Sequence, residues 1–198
     1  MNEKKNDNYF KKTFVNQTHG YLDISLKREL WREVSNDFKG KFIISQTSGN
    51  EIEILKIFIP YRNFEIKLTE SDTKPLKFEI SFSTAKDYEL LICFEDTIEK
   101  IMKRLGEKEV ELGIDKFDNK YIIKSQDPEI TKKLLTQEII DNFINFNIYS
   151  LSYTSDIKNQ TSSLITVISR TVEEKSILEG LIRLHMNIID NLKVLLII

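Results

Sequence analysis

A chain of 198 residues with 40% hydrophobic side chains can build one substantial core or two small ones. Its 29 basic and 31 acidic residues nearly cancel, so no global field favours nucleic acid or an acidic membrane surface. The single cysteine, Cys93, excludes an intrachain disulfide, and six Gly and three Pro argue against flexible linkers and low-complexity segments.

In chain order, residues 1–20 are polar and unpatterned and are expected to form a flexible N-terminal arm. The remainder, 21–198, reads as a single α+β domain, with 21–106 and 107–198 as two sub-halves in the alternative. The opening Met1-Asn-Glu-Lys-Lys-Asn-Asp-Asn8 carries no apolar h-region, and no apolar stretch reaches the length of a spanning helix. A cytoplasmic protein without an integral membrane segment is the expectation.

Residues 22–38 carry Leu26, Leu30, Val34 and Phe38 at helical spacing, with Trp31 beside them as a core anchor and Gly40 placed to end the helix. From Lys41 the period changes to two. Phe42 and Ile44 begin it, Glu51–Ile59 follows the turn Ser48-Gly-Asn50, and Pro60-Tyr-Arg-Asn63 turns the chain again. Phe64, Ile66 and Leu68 then alternate with charged residues, as do Leu76, Phe78, Ile80 and Phe82. With Tyr88–Glu95 as its last strand, this is an antiparallel β-meander with one wet face and a dry face that helices must cover. Cys93, in an apolar run, reads as a small core residue.

The second half is rich in helices. Asp96-Thr-Ile-Glu99 has capping-box spacing and opens a helix that stops at Gly106. A short strand, Val110–Leu112, leads to turn chemistry at Gly113 and Asp118-Asn119, core material at Phe117 and Tyr121-Ile-Ile123, and a helix start at Asp127-Pro-Glu129. Thr136 can cap a further helix carrying Ile139, Ile140, Phe143 and Ile144. Strands are expected at about 148–154 and 163–169. Thr171-Val-Glu-Glu174 then opens the longest helix, to about Lys193, with His185 in a hydrogen-bonded packing role on its apolar side. Phe38-Lys-Gly-Lys-Phe-Ile-Ile44 echoes Phe117-Asp-Asn-Lys-Tyr-Ile-Ile123, and the likeness that caps and short strands share everywhere accounts for this better than a duplicated unit does.

Chemistry is sparse. Two His and one Cys leave a zinc site to carboxylates, and no cluster at ligand spacing stands out. Gly-x-Ser-x-Gly and phosphate-binding glycine loops are absent from the sequence. No catalytic residue, metal ligand or cofactor is assigned, and the composition leans away from an enzyme. Asp115, Asp118 and Asp127 flank one strand and could converge as a ligand-binding or carboxylate-dependent site. Two turn residues and a helix cap explain them more simply. Lys100, Lys103, Arg104 and Lys108 are interleaved with Glu99, Glu107 and Glu109 and read as a solvated helix face, so no nucleic-acid partner is expected.

Gly113, Phe117, Asp118, Tyr121, Ile123, Ser125 and Asp127, followed by Leu134-Leu135, resemble a Gly-x-x-x-Phe-Asp-x-x-[Phe/Tyr]-x-[Ile/Val]-x-[Ser/Thr]-x-Asp pattern of bacterial proteins without assigned activity. The likeness covers about 110–136 and implies a bacterial α+β protein, with no reaction to carry over. Leu195, Leu196, Ile197 and Ile198 are uncomfortable in water, and are expected either to pack on the sheet or to meet a second subunit. A non-catalytic interaction module with a protein partner or self-association is the expected function. A small-ligand site near Asp115–Asp127 and a peripheral membrane-associated factor are the alternatives.

Overall fold

The computed structural model describes residues 24–46, 52–84, 86–94, 108–168 and 172–198. The arm 1–20, His19, the turn at 48–50, the expected helix after Asp96 and Thr171 fall outside these residues. The fold is α+β. Its centre is one antiparallel sheet built from β1 (Lys41–Gln46), β2 (Glu53–Tyr61), β3 (Phe64–Ser71), β4 (Lys74–Ser83), β5 (Leu90–Phe94), β6 (Lys108–Glu109), β7 (Tyr121–Ser125), β8 (Ile148–Asp156) and β9 (Thr161–Ile168). The order across the sheet is β1-β2-β3-β4-β9-β8-β5-β7-β6.

Alternation explains the meander. Leu55, Ile57, Ile59, Ile66, Leu68, Leu76, Phe78 and Ile80 all point to one buried face, while the other face carries cross-strand charge. There Lys67 and Lys77 both reach Glu79, at 2.8 and 2.6 Å. These half-exposed pairs add little stability, and they keep the sheet wet on that side.

Two expectations are corrected in the meander. First, β2 runs through Pro60 and Tyr61, and the turn is Arg62-Asn63, with Arg62 left-handed at φ 56°. Proline is tolerated because β1 pairs only as far as Phe58, so the missing amide of Pro60 forfeits no ladder bond. Second, the strand at 90–94 does not close the meander. It lies between β8 and β7, in register Leu90↔Tyr153 and Leu90↔Ser125. Its run Leu90-Leu-Ile-Cys93 is buried on both faces, which suits an inner strand. The edge of β4 is taken by β9 instead, from Lys77↔Val167 to Ser83↔Thr161. That seam joins the two halves of the chain in one sheet.

The strand order has an approximate two-fold arrangement about this seam. The β3–β4 hairpin faces the β8–β9 hairpin, and β1 occupies the place corresponding to β7. These are the strands that carry the Phe-x-x-Lys-[Phe/Tyr]-Ile-Ile echo.

Helices cover the dry face. They are α1 (Ile24–Asp37), α2 (Asp115–Asp118), α3 (Pro128–Leu134), α4 (Gln137–Phe146) and α5 (Lys175–Val194). The long helix α5 packs beside α1, α3 and α4. Its buried stripe is Leu178, Leu181, Ile182, Leu184, His185, Ile188, Ile189 and Leu192, the helical spacing of a core-facing side. It starts at Lys175, four residues beyond the expected cap.

On α1 the buried residues are Trp31, Val34 and Ser35, whereas Leu26 is 61% exposed. Salt links fix the first turns of α1: Lys27 to Glu70 at 2.8 Å, and Arg28 to both carboxylate oxygens of Glu53. Burial pushes the Glu70 carboxyl up, against the pull of Lys27.

Both α1 and α5 end in the same C-cap. After α1, Lys39 is left-handed at φ 54°, its amide donates to Asn36 O at 3.0 Å, and Gly40 N donates to Ser35 O at 2.7 Å. That is a Schellman motif with lysine at the left-handed position. Gly40 is therefore not the left-handed residue. It is glycine because a Cβ there would lie 2.8 Å from the Phe58 carbonyl oxygen.

Candidate functional site

The acidic stretch folds as a short helix, a strand and a capped helix. Gly113, at φ 75°, turns the chain into α2, a single helical turn where the sequence suggests only a loop. Asp118 then folds back, and its carboxylate accepts from the amides of Leu112 at 3.2 Å and Ile114 at 2.9 Å. Asp115 is exposed on the first turn.

Asp115 and Asp118, with Glu109, Glu111 and Tyr121, line a shallow cleft of about 280 Å³. Asp127 lies at the other end of the five-residue β7, on the order of 15 Å away at ~3.3 Å per residue. It caps α3, accepting from Ile130 N at 3.1 Å, with Lys86 Nζ at 3.4 Å. The Ile130 amide, more than Lys86, holds its carboxyl below the usual range. The structure thus brings two of the three aspartates together, and Asp118 is already committed to the backbone. Among the described residues, no group of three His, Cys, Asp or Glu side chains is arranged to hold a metal ion.

Next to this stretch runs a buried hydroxyl chain. Tyr88 Oη and Thr131 Oγ1 are 2.8 Å apart, and Thr131 Oγ1 donates to Ser125 Oγ at 2.6 Å. Burial pushes the Tyr88 phenol up to about 12, so it stays neutral and structural at physiological pH. His185 is also structural. Its ring stacks on Phe78 with centroids 4.0 Å apart. Nδ1 meets Leu181 O at 2.7 Å and Nε2 meets Thr166 Oγ1 at 2.9 Å. A carbonyl only accepts, so Nδ1 carries the proton and Nε2 accepts from the threonine.

The end of α5 presents a different surface. Ile197 is fully buried and Leu195 and Ile198 pack partly on the core, so three of the four apolar residues at 195–198 mainly serve packing. Leu196 is 76% exposed and Val194, which sequence patterning does not single out, is 78% exposed. Leu196 N donates to Lys193 O and Ile197 N to Leu192 O, both at 3.0 Å. This is again a Schellman motif, with Leu196 left-handed at φ 56°. The position favours glycine, and an L side chain there costs about 1–2 kcal/mol. The buried Leu192 and Ile197 supply the apolar contact that closes the motif.

A second cleft, of about 420 Å³, opens beside this surface between Phe64, Phe82 and Lys193. Both phenylalanines lie on the core side that alternation assigns them, Phe82 buried and Phe64 packed partly against the core.

The class is an antiparallel sheet covered on one face by helices, with the longest helix after the last strand. No family model matches the chain and no curated protein does. Among solved structures, the chain is similar to that of the mycobacterial trehalose monomycolate transport factor A, TtfA. The TM-score is 0.50 and the identity 8%, over 84% of this chain and 94% of the other. At that identity the likeness concerns fold alone. No described helix is long and apolar enough to cross a membrane.

Proposed function

We propose that this chain is a non-catalytic protein-interaction module that self-associates through the end of α5. The observation that carries the reading is Leu196, a large apolar side chain held in solvent in a left-handed backbone state. Strain of this kind concentrates where function requires it. Val194 extends the apolar surface. A bacterial setting belongs to the same proposal and is supported by the resemblance at 113–127.

Static light scattering after size exclusion tests the proposal with wild type and Leu196→Gly. Glycine relieves the backbone strain, so the variant should gain up to about 1 kcal/mol of stability while its mass drops toward that of one chain. A wild type that stays at the mass of one chain at its highest soluble concentration would sink the self-association reading.

The alternative of a small-ligand site near Asp115 and Asp118 is favoured by their shared cleft, and Asp115→Asn in a thermal-shift screen addresses it. Flotation of the chain with liposomes would instead favour a peripheral membrane role.

A further inference from the structure

The two edges of the sheet differ. At one end β6 is only two residues long, and a short edge strand guards against unwanted pairing. At the other end stands β1, six residues long. It pairs with β2 in unbroken register from Lys41↔Phe58 to Gln46↔Glu53. No strand joins its other flank among the described residues. Neither a proline nor a bulge interrupts it, and its middle is Phe42-Ile-Ile44. Such an edge accepts a further strand, with main-chain hydrogen bonds supplying affinity and alternate side chains selecting the partner.

The two faces of the edge define that partner. On the helix side lie Phe42, packed partly against the core beneath the Arg32 guanidinium at 5.8 Å, and Ile44, 38% exposed. Apolar side chains on an added strand would extend this row. On the opposite side lie Lys41 and, one strand further in, Lys56, which stands across from Ile43. Neither lysine has an ion-pair partner among the described residues. The one acid of β1 and β2, Glu53, belongs to the helix side, where Arg28 holds it at 2.9 Å. Opposite charges on neighbouring strands attract and like charges repel, so this side favours a strand bearing carboxylates. The same rule opposes a second copy of β1, which would bring further lysines and no acid to that side.

We infer that β1 is a docking edge for an extended acidic segment of a partner protein, which adds to the sheet as a strand with apolar side chains beside Phe42 and Ile44 and carboxylates toward Lys41 and Lys56. Val194 and Leu196 are no part of this edge, so it stands or falls separately from the association proposed above.

The probe is a short blocked peptide alternating valine with glutamate, titrated into the full chain while amide shifts and hydrogen exchange are followed by NMR. A peptide alternating valine with lysine is the control. In the free chain every second amide of β1 should exchange fast, because alternate residues of an edge strand direct their amides outward. The glutamate peptide should shift those amides saturably and slow their exchange. Lys41→Glu combined with Lys56→Glu should weaken its binding roughly tenfold, the order of two exposed ion pairs, and should let the lysine peptide bind instead. Slow exchange along all of β1 in the free chain, no saturable protection, or equal binding of the two peptides would overturn the inference. So would protection that rises with protein concentration alone, which would give the edge to a second copy.

Discussion

His185 illustrates how position converts an ordinary residue into a pH-dependent one. Full burial between α5, Phe78 and Thr166 drives its pKa down to about 4 from 6.5. The folded protein then resists protonation that the unfolded chain accepts. Stability contributed by the neutral ring is complete above pH 6.5 and is lost as pH falls toward 4. The loss amounts to about 3 kcal/mol, at about 1.4 kcal/mol per pH unit. Urea unfolding across this range should show the drop, and His185→Phe, which keeps the stack on Phe78, should flatten it. An unchanged slope in the variant would assign the acid sensitivity to other groups. Periodicity placed His185 on the apolar side of its helix, whereas its partners, Thr166 on the preceding strand β9 and Phe78 on the distant β4, are fixed only by how the helix packs on the sheet.

Elements were easiest to read where local chemistry sets them. Asp127-Pro-Glu129 specifies a helix start whatever surrounds it, and Asp127 does cap α3. The helix ends were harder. Gly40 signals a stop, but the left-handed residue is Lys39, and the glycine is demanded by the passing carbonyl of Phe58. Gly40→Ala should therefore destabilise by roughly 1–3 kcal/mol through overpacking at the joint between α1 and β2. Chemical denaturation reads that directly, and a neutral result would mean the backbone there can move aside at no cost. At Leu196 no glycine signals the motif at all, so neither its left-handed backbone nor its exposure was legible, and the apolar run at 195–198 looked uniform.

Across the whole molecule, the sheet is assembled from pieces far apart in the chain. β5 belongs to the first sub-half by sequence, yet it is the strand that joins β8 to β7. The fragments 21–106 and 107–198, made separately, should each lack a cooperative unfolding transition, since the second has no strand between β7 and β8 and the first loses β9 from the edge of β4. A sharp transition in either fragment alone would show that the seam is dispensable. Alternation of side chains already specified which residues of β2, β3 and β4 face the core, because a strand turns by half a revolution per residue and no partner is needed to fix that. Helical spacing did the same for α5. Pairing was decided only in three dimensions. The placement of β9 against β4, the insertion of β5 and the exposure of Leu196 all depend on which surfaces meet once the chain is compact, and a one-dimensional pattern carries no record of those meetings.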